Sequence, residues 1–351
     1  GGHDNPGVGR MKWSQSDLRS NSDWFFRTSD WRVIVYSTKN PATQFPGTEL
    51  AINRTIVEFN RKGENYAYLQ NFAILFGAGN GISGNGNTSG YLTFRDLDVS
   101  YIGGGNLGGK GVRYGVGIEF WGSVHDIIVE RCRVSQTFDA GISNQTTGAN
   151  RIVHHVTYRN NVLLNVPASF EIWMRPSDTA STLHDIYVLN NSSSNPTSWR
   201  ATQNMPEGAG GFALMLGSPA AVAAWNIVIE NNALVDFPSS AMVLNENFDT
   251  WKGDMTLDYN DWFHTGYMWV SRRLPTILDQ SFTQWAAAFP AEQHGIKQDP
   301  LYLDRAKGDL HPGTGSPLFG KGINLTSKGV VLDFDRKPRP ATGAFTIGAY
   351  Q

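Results

Sequence analysis

The sequence has a single cysteine, Cys132, among 351 residues. An intrachain disulfide is therefore excluded, and whatever holds the fold together is not a covalent staple. There is no run of ~18 apolar residues, the length that a bilayer-spanning helix needs, so no membrane partner is expected. Charge is scarce as well. Only 17% of residues are charged, and 29 basic against 31 acidic side chains leave a net charge of -2. Such a balance makes no positive field for a polyanion, and no nucleic-acid partner is expected. Few Lys and Glu also mean few long solvated helices. Neither an initiator methionine nor a leader precedes "GGHDNPGVGR". We expect a processed or recombinant fragment of a bacterial protein, with a secreted or periplasmic address outside this sequence.

What the chain has in quantity is 38 Gly, 11 Trp and 12 Tyr. Glycine in that number implies many turns. The aromatics suit a sugar-binding surface as well as a core. Short β-rich blocks recur: "YLTFRDLDVS" (91–100), "DIIVERCRVS" (126–135), "HVTYRNNVLL" (155–164), "DIYVLNNSSS" (185–194), "NIVIENNALV" (226–235) and "DMTLDYNDWF" (254–263), with a weaker copy, "NYAYLQNFAI", at 65–74. Each is an alternating strand that runs into a polar pair and then a second short strand. Aligned on the pair, one column reads Asn71, Leu97, Cys132, Asn161, Asn191, Asn232, Asn260. A period of about 30 residues is the signature of stacked rungs. Asn in register predicts an internal amide ladder, and Cys132 on that ladder reads as a small buried side chain rather than a nucleophile.

A further strand follows each block: "GISGN" (81–85), "GIEFW" (117–121), "GISNQ" (141–145), "SFEIW" (169–173), "GFALM" (211–215) and "AMVLN" (241–245). A small residue opens each one, as expected where the backbone turns tightly into a strand. Short strands, variable loops and no helical period predict an all-β fold, a right-handed parallel β-helix with an internal Asn ladder and a short C-terminal cap helix. A β-propeller would need antiparallel blades, which a single-file ladder argues against. The expected organisation is an N-terminal segment or partial cap (1–48), parallel coils (49–275), and a cap helix, last coil and tail (276–351), with "FTQWAAAF" as the helix.

At this level the chain resembles the bacterial right-handed parallel β-helix repeat proteins of the pectate-lyase-like superfamily. The likeness is carried by "RYGVGIEFWGSVHDIIVERCRVSQTFDAGISNQ" (113–145), by "SFTQWAAAFPAEQHGIKQDPLYLD" (281–304) and by the ending "GSPLFGKGINLT…DFDRKPRP…GAFTIGAYQ" (315–351). It covers most of 49–351 and implies the fold and a carbohydrate-active role. The same fold serves lyases, hydrolases, epimerases and phage spikes, so it implies no one chemistry. The Asp-Pro-His run of alginate epimerases, the Glu-Xaa-Glu calcium pair of one alginate lyase family and the polygalacturonase carboxylate set are not in this sequence.

Alternation then assigns faces. With Ile118, Ile142, Phe170, Phe212 and Met242 turned inward, the outward column is Ser83, Glu119, Ser143, Glu171, Ala213, Val243. Two residues further on it is Asn85, Trp121, Gln145, Trp173, Met215, Asn245. Asn144 is the one polar residue left inside, where it needs a partner. On this reading Glu119 and Glu171 sit on an exposed sheet surface two rungs apart, roughly 10 Å along the axis. Trp121 and Trp173 flank the groove, with Gln145 between them. Asp139 precedes the intervening strand. The glycine-rich insertion 103–115 delivers Lys110, Arg113 and Tyr114, and "WMRPSD" (173–178) adds Arg175.

Catalytic candidates are thus Glu119, Glu171 and Asp139. Substrate-binding candidates are Trp121, Trp173, Gln145, Lys110, Arg113, Tyr114 and Arg175. Structural readings stand beside these. An outward Glu also suits a plain solvated face, Asp139 suits a turn cap, and Arg113 and Arg175 suit ion pairs with the two glutamates. His154-His155 lacks ligands at metal spacing. No cofactor is required, although hard oxygen groups at Asp139 and Glu171 leave a Ca²⁺ site open. Three functions follow: a hydrolase cleaving a polysaccharide or oligosaccharide between paired carboxylates, a lyase in which the basic residues neutralise a uronate, or a non-catalytic sugar-binding spike.

Overall fold

The computed structural model describes residues 9–48, 50–59, 65–84, 86, 88–106, 113–176, 180–195, 211–217, 222–244, 254–271, 282–288 and 291–351. Three parallel sheets of eight, seven and six strands dominate it. The chain visits them in rotation, so neighbours in each sheet come from successive turns of a parallel β-solenoid. The largest sheet contains Val57–Phe59, Ile82–Gly84, Ile118–Trp121, Ala140–Gly148, Ala168–Pro176, Phe212–Gly217, Phe237–Leu244 and Thr265–Ser271. It is called the site sheet below. The second runs from Tyr68–Gln70 to Met255–Asp258, and the third from Ala73–Gly77 to Ala233–Val235. A separate three-stranded sheet, Arg10–Met11, Asp23–Arg27 and Arg32–Val35, lies in the N-terminal region, and a helix covers Phe282–Ala288. No described helix is long and apolar enough to cross a membrane.

The polar pairs of the sequence are the corners between the second and third sheets. Their first members, Asp96, Arg131, Asn160, Asn190 and Asn231, all have φ between 51° and 59°. Asn and Asp enter this left-handed region more readily than other L-residues, which is why Asn-Asn recurs there. The second member turns inward. The Asn161 N–H and Nδ2 donate to Asn191 Oδ1 at 2.9 and 3.0 Å. Asn191 does the same to Asn232 Oδ1 at 3.0 and 2.9 Å, and Asn232 to Asn260 Oδ1 at 2.8 and 2.9 Å. The ladder ends on Glu292, whose Oε1 accepts from Asn260 Nδ2 at 2.7 Å and Trp262 Nε1 at 2.8 Å. At the other end Cys132 N–H donates to Asn161 Oδ1 at 2.9 Å, and burial pushes the thiol up to about 12. It is a filler, as its column implies.

Two alignments are corrected. Ala73 pairs with Asp98, so Phe72 rather than Asn71 stands level with Leu97. Asn71 is an exposed corner residue at φ 62° and takes no part in the ladder. On the site sheet, Phe170 pairs with Leu214 and Glu171 with Met215. The "GFALM" strand is therefore displaced by two residues, and the outward columns contain Met215 and Gly217 where Ala213 and Met215 were expected. Alternation is blind to such a slip, because a two-residue shift preserves every facing. Asn144 is buried inside, as expected, but among the described residues neither of its amide atoms has a hydrogen-bond partner.

The interior is an apolar file with an aromatic spine. Ring centroids lie 5.5 Å apart for Phe94–Phe120, 6.3 Å for Phe120–Tyr158 and 5.9 Å for Tyr158–Phe170. Outside, the corner asparagines hold the C-terminal tail. Asn160, Asn190 and Asn231 donate side-chain N–H groups to the carbonyls of Leu332, Thr346 and Ile323 at 2.8, 3.0 and 2.7 Å.

Asn191→Ala removes the acceptor of two buried donors on Asn161 and should cost about 3 kcal/mol or more, read as a lower urea midpoint. A second expectation concerns pH. Burial raises Glu292 and Asp261 to about 8. Both keep a proton in the fold that they lose at ~4 when unfolded. Their contribution is complete below pH ~4 and disappears as pH rises through about 8. The urea midpoint should fall between pH ~5 and ~8.5, and less steeply in Glu292→Gln.

Candidate active site on the largest sheet

The site sheet is made to fit tightly at the corner where the third sheet feeds it. A Cβ on Gly117 would lie 2.4 Å from Val134 Cγ1, and one on Gly141 2.5 Å from Leu163 Cδ2. The small residue that opens these strands is thus a packing requirement. Ile118, Phe120, Ile142, Phe170 and Ile172 then turn into the core with no exposed surface. The residues between them are held on the outer face.

Register puts Glu119 level with Ser83 on one side and Ser143 on the other, and Ser143 level with Glu171. Glu58 is level with Ser83. One outward column therefore reads Glu58, Ser83, Glu119, Ser143, Glu171, Met215. The next reads Trp121, Gln145, Trp173, Gly217. The expected pairing of Glu119 and Glu171 two rungs apart is present. Glu58 was missed, although "IVEF" carries the same apolar-Glu-apolar alternation as "GIEFW".

The expectation that both glutamates lie on an open, solvated surface is corrected. They point outward, but Glu119 is half-buried and Glu171 is only 5% exposed. Facing and exposure are separate properties, since neighbouring side chains and loops cover an outer face without changing its alternation. Glu119 Oε2 accepts from Asn80 Nδ2 at 2.6 Å and from Ser83 Oγ. Asn80 is itself fixed, because its Oδ1 accepts the Val116 N–H at 3.0 Å. Glu171 Oε2 accepts from Ser143 Oγ at 3.2 Å and from Gln145 Nε2. Each carboxylate leans toward the rung before its own. The two lean the same way, so their separation stays close to two strand spacings, roughly 10 Å.

Burial raises Glu119 above the ordinary carboxyl range, with the Ser83 hydrogen bond opposing. Glu171 is raised well above it, first by burial and next by the charge of Asp139, with Glu119 adding to the effect. Asp139 is itself 8% exposed and stands at the corner just before Ala140–Gly148. Asp139 and Glu119 thus both act on Glu171, and of the two glutamates Glu171 is raised further.

The remaining candidates divide. Trp121 and Trp173 are half-buried beside the glutamates, with Gln145 between them. Arg113 and Tyr114 lie in a short hairpin, paired with Asn106 and Gly105. The hairpin closes where Gly103 meets Gly115, and a Cβ on Gly115 would lie 2.1 Å from Gly103 Cα. Arg113 is buried with its guanidinium over the rings of Trp13 and Phe138, at 5.5 and 5.2 Å. It braces the hairpin against the N-terminal region. Arg175 is exposed and stands four residues past Glu171 on one strand, ~13 Å along it. An ion pair between those two is therefore not formed. Lys110, Asp178 and the stretch 198–210 lie outside the described residues. Among the described residues no group of three or more His, Cys, Asp or Glu side chains is placed to hold a metal ion.

No protein-family model matches the chain, and no curated protein matches it. Its chemistry has to be argued from the site itself. If Asp139 and Glu119 sustain the proton on Glu171, then Asp139→Asn and Glu119→Gln should each lower the Glu171 titration midpoint. Side-chain carboxyl NMR across a pH series reads this directly, and an unmoved midpoint in both variants refutes the coupling.

Proposed function

We propose that the chain is a right-handed parallel β-helix of the pectate-lyase-like kind, acting on a polysaccharide as a glycoside hydrolase. Connections between parallel strands of one sheet are right-handed almost without exception, which supports the handedness. The observation that carries the activity is the pair Glu119 and Glu171. They are two rungs apart in one outward column, in different protonation environments, beside Trp121 and Trp173.

Glu171 is the proton donor. Its buried carboxyl, facing the charge of Asp139, holds its proton well above the ordinary carboxyl range and delivers it to the glycosidic oxygen as the C–O bond breaks. Glu119 is the base. It takes a proton from water as that water's oxygen bonds to the anomeric carbon from the opposite side. A raised carboxyl is the better base near neutrality. A separation of roughly 10 Å sits close to the ~6.5–9.5 Å of inverting enzymes and well above the ~5–5.5 Å of retaining ones. Inversion is therefore the expected stereochemistry. The tryptophan faces support sugar rings. A secreted or periplasmic location suits a polymeric substrate.

Elimination on a uronate polymer would need cations facing the column. Among the described candidates, Arg113 lies over the rings of Trp13 and Phe138, and Arg175 stands ~13 Å along its strand from Glu171, which favours hydrolysis. The test is a polysaccharide panel read for new reducing ends and for the ultraviolet absorbance of unsaturated products. Hydrolysis gives the first signal alone, elimination gives both, and binding with neither leaves a non-catalytic sugar-binding protein. Glu171→Gln and Glu119→Gln should each lower kcat/KM by ~10²–10⁴-fold. Full activity in both variants removes the pair from the mechanism.

A further inference from the structure

The outer face of the site sheet repeats every second rung in two columns at once. Glu58, Glu119 and Glu171 alternate with Ser83 and Ser143. Trp121 and Trp173 alternate with Gln145. The patterns are in phase, each Trp standing two residues after a Glu on the same strand. With strands ~4.8 Å apart, the Glu/Trp pair returns after roughly 10 Å. The repeat has a direction. Past Glu171 the columns change to Met215 and Gly217, whereas on the other side the glutamate recurs at exposed Glu58.

Resting on the sugar-groove reading above, we infer that the ligand is an extended two-fold polysaccharide. It is a neutral β-1,4-linked ribbon of the cello, manno or chito type, laid along the solenoid axis with one sugar residue per rung and Glu58 as an outlying subsite. In such a chain each residue is flipped relative to the last, and a residue is about as long as one rung step. The same edge and the same face therefore recur at every second residue. Residues facing a Glu/Trp rung give hydroxyl hydrogen bonds to the carboxyl group and lay an apolar face near the indole. The flipped residue between the two pairs meets the smaller, half-buried Gln145, with Ser143 buried beside it. A three-fold chain, such as an α-1,4-linked galacturonan, loses phase with this face within two residues.

The test is calorimetric titration with cello-, manno- and chito-oligosaccharides from disaccharide to octasaccharide, alongside malto- and galacturono-oligosaccharides. Five strands separate the column's ends at Glu58 and Glu171, counting both, so affinity for one ribbon series should rise with length up to about the pentasaccharide and then level. Glu58→Gln, a change at an exposed position, should reduce the pentasaccharide-to-trisaccharide affinity ratio roughly tenfold. Tighter binding of the three-fold series, no binding of any ribbon series, or an unchanged ratio in Glu58→Gln overturns the inference. Reducing ends are assayed on the same oligosaccharides. Length-dependent ribbon binding without cleavage refutes the hydrolase and leaves this inference standing. Cleavage confined to three-fold chains does the reverse.

Discussion

Every position on the outer face depends on the register between successive rungs, and that register is held from inside. The amides of Asn161, Asn191, Asn232 and Asn260 each bond one rung onward, through both a backbone and a side-chain N–H in three successive steps. A slip of one residue anywhere along this file would leave several buried polar groups unmatched, each costing ~1–3 kcal/mol. It would also turn Ile118 and Phe120 outward. The interior therefore fixes where Glu119 and Glu171 stand, although neither touches the ladder. A solenoid separates its tasks in this way. Inward residues are chosen by packing and amide geometry, and outward residues are free to carry chemistry.

Two of the buried carboxyl groups, Glu292 and Glu171, are set among contrasting partners. Glu292 closes the ladder where no further asparagine follows, and three donations from Asn260 and Trp262 meet its oxygens. Burial still outweighs those donors and raises it to about 8. Glu171 is buried on the opposite side of the sheet wall and has Asp139 and Glu119 acting on it as well. The first arrangement satisfies a terminus. The second sets acidic groups against each other, which a purely structural carboxyl does not require.

The fold was legible because its signals are local and periodic. Two-residue alternation located the strands, and the Asn-Asn corners located the turns. They did so because a left-handed corner and an inward amide ladder select the same residue at consecutive positions. The misplaced positions have separate causes. Asn71 was set on the ladder because it is an Asn, whereas pairing of Ala73 with Asp98 makes it a corner. "GFALM" shifts by two because the sequence before it carries no register marker and the facing is unchanged by an even shift. Glu58 went unnoticed because its rung lies at the weakly patterned start of the solenoid. Exposure was the other blind point. Alternation says which way Glu171 points but not what covers it, and its burial is what separates it from an ordinary surface carboxylate.

The alternation of Glu with Ser has an electrostatic reason of its own. Like charges on adjacent strands, ~4.8 Å apart, are destabilising, and a serine between them both spaces the carboxyls and donates to one of them. Ser83 and Ser143 do just that. A fold with no ligand at all could therefore arrive at a glutamate every second rung. Tryptophan has no such constraint. Adjacent rungs elsewhere in this protein stack aromatic rings directly, as in Tyr66 on Tyr91 and His184 on Trp225, with centroids 4.6 and 4.2 Å apart. Stacking would favour Trp at the position of Gln145 as well. The chain instead interrupts its tryptophans with a side chain that reaches Glu171, and keeps the interruption in phase with the serines. Satisfying the buried Glu171 is one reason for that coincidence, and a ligand repeating over two rungs, as proposed above, would be a second.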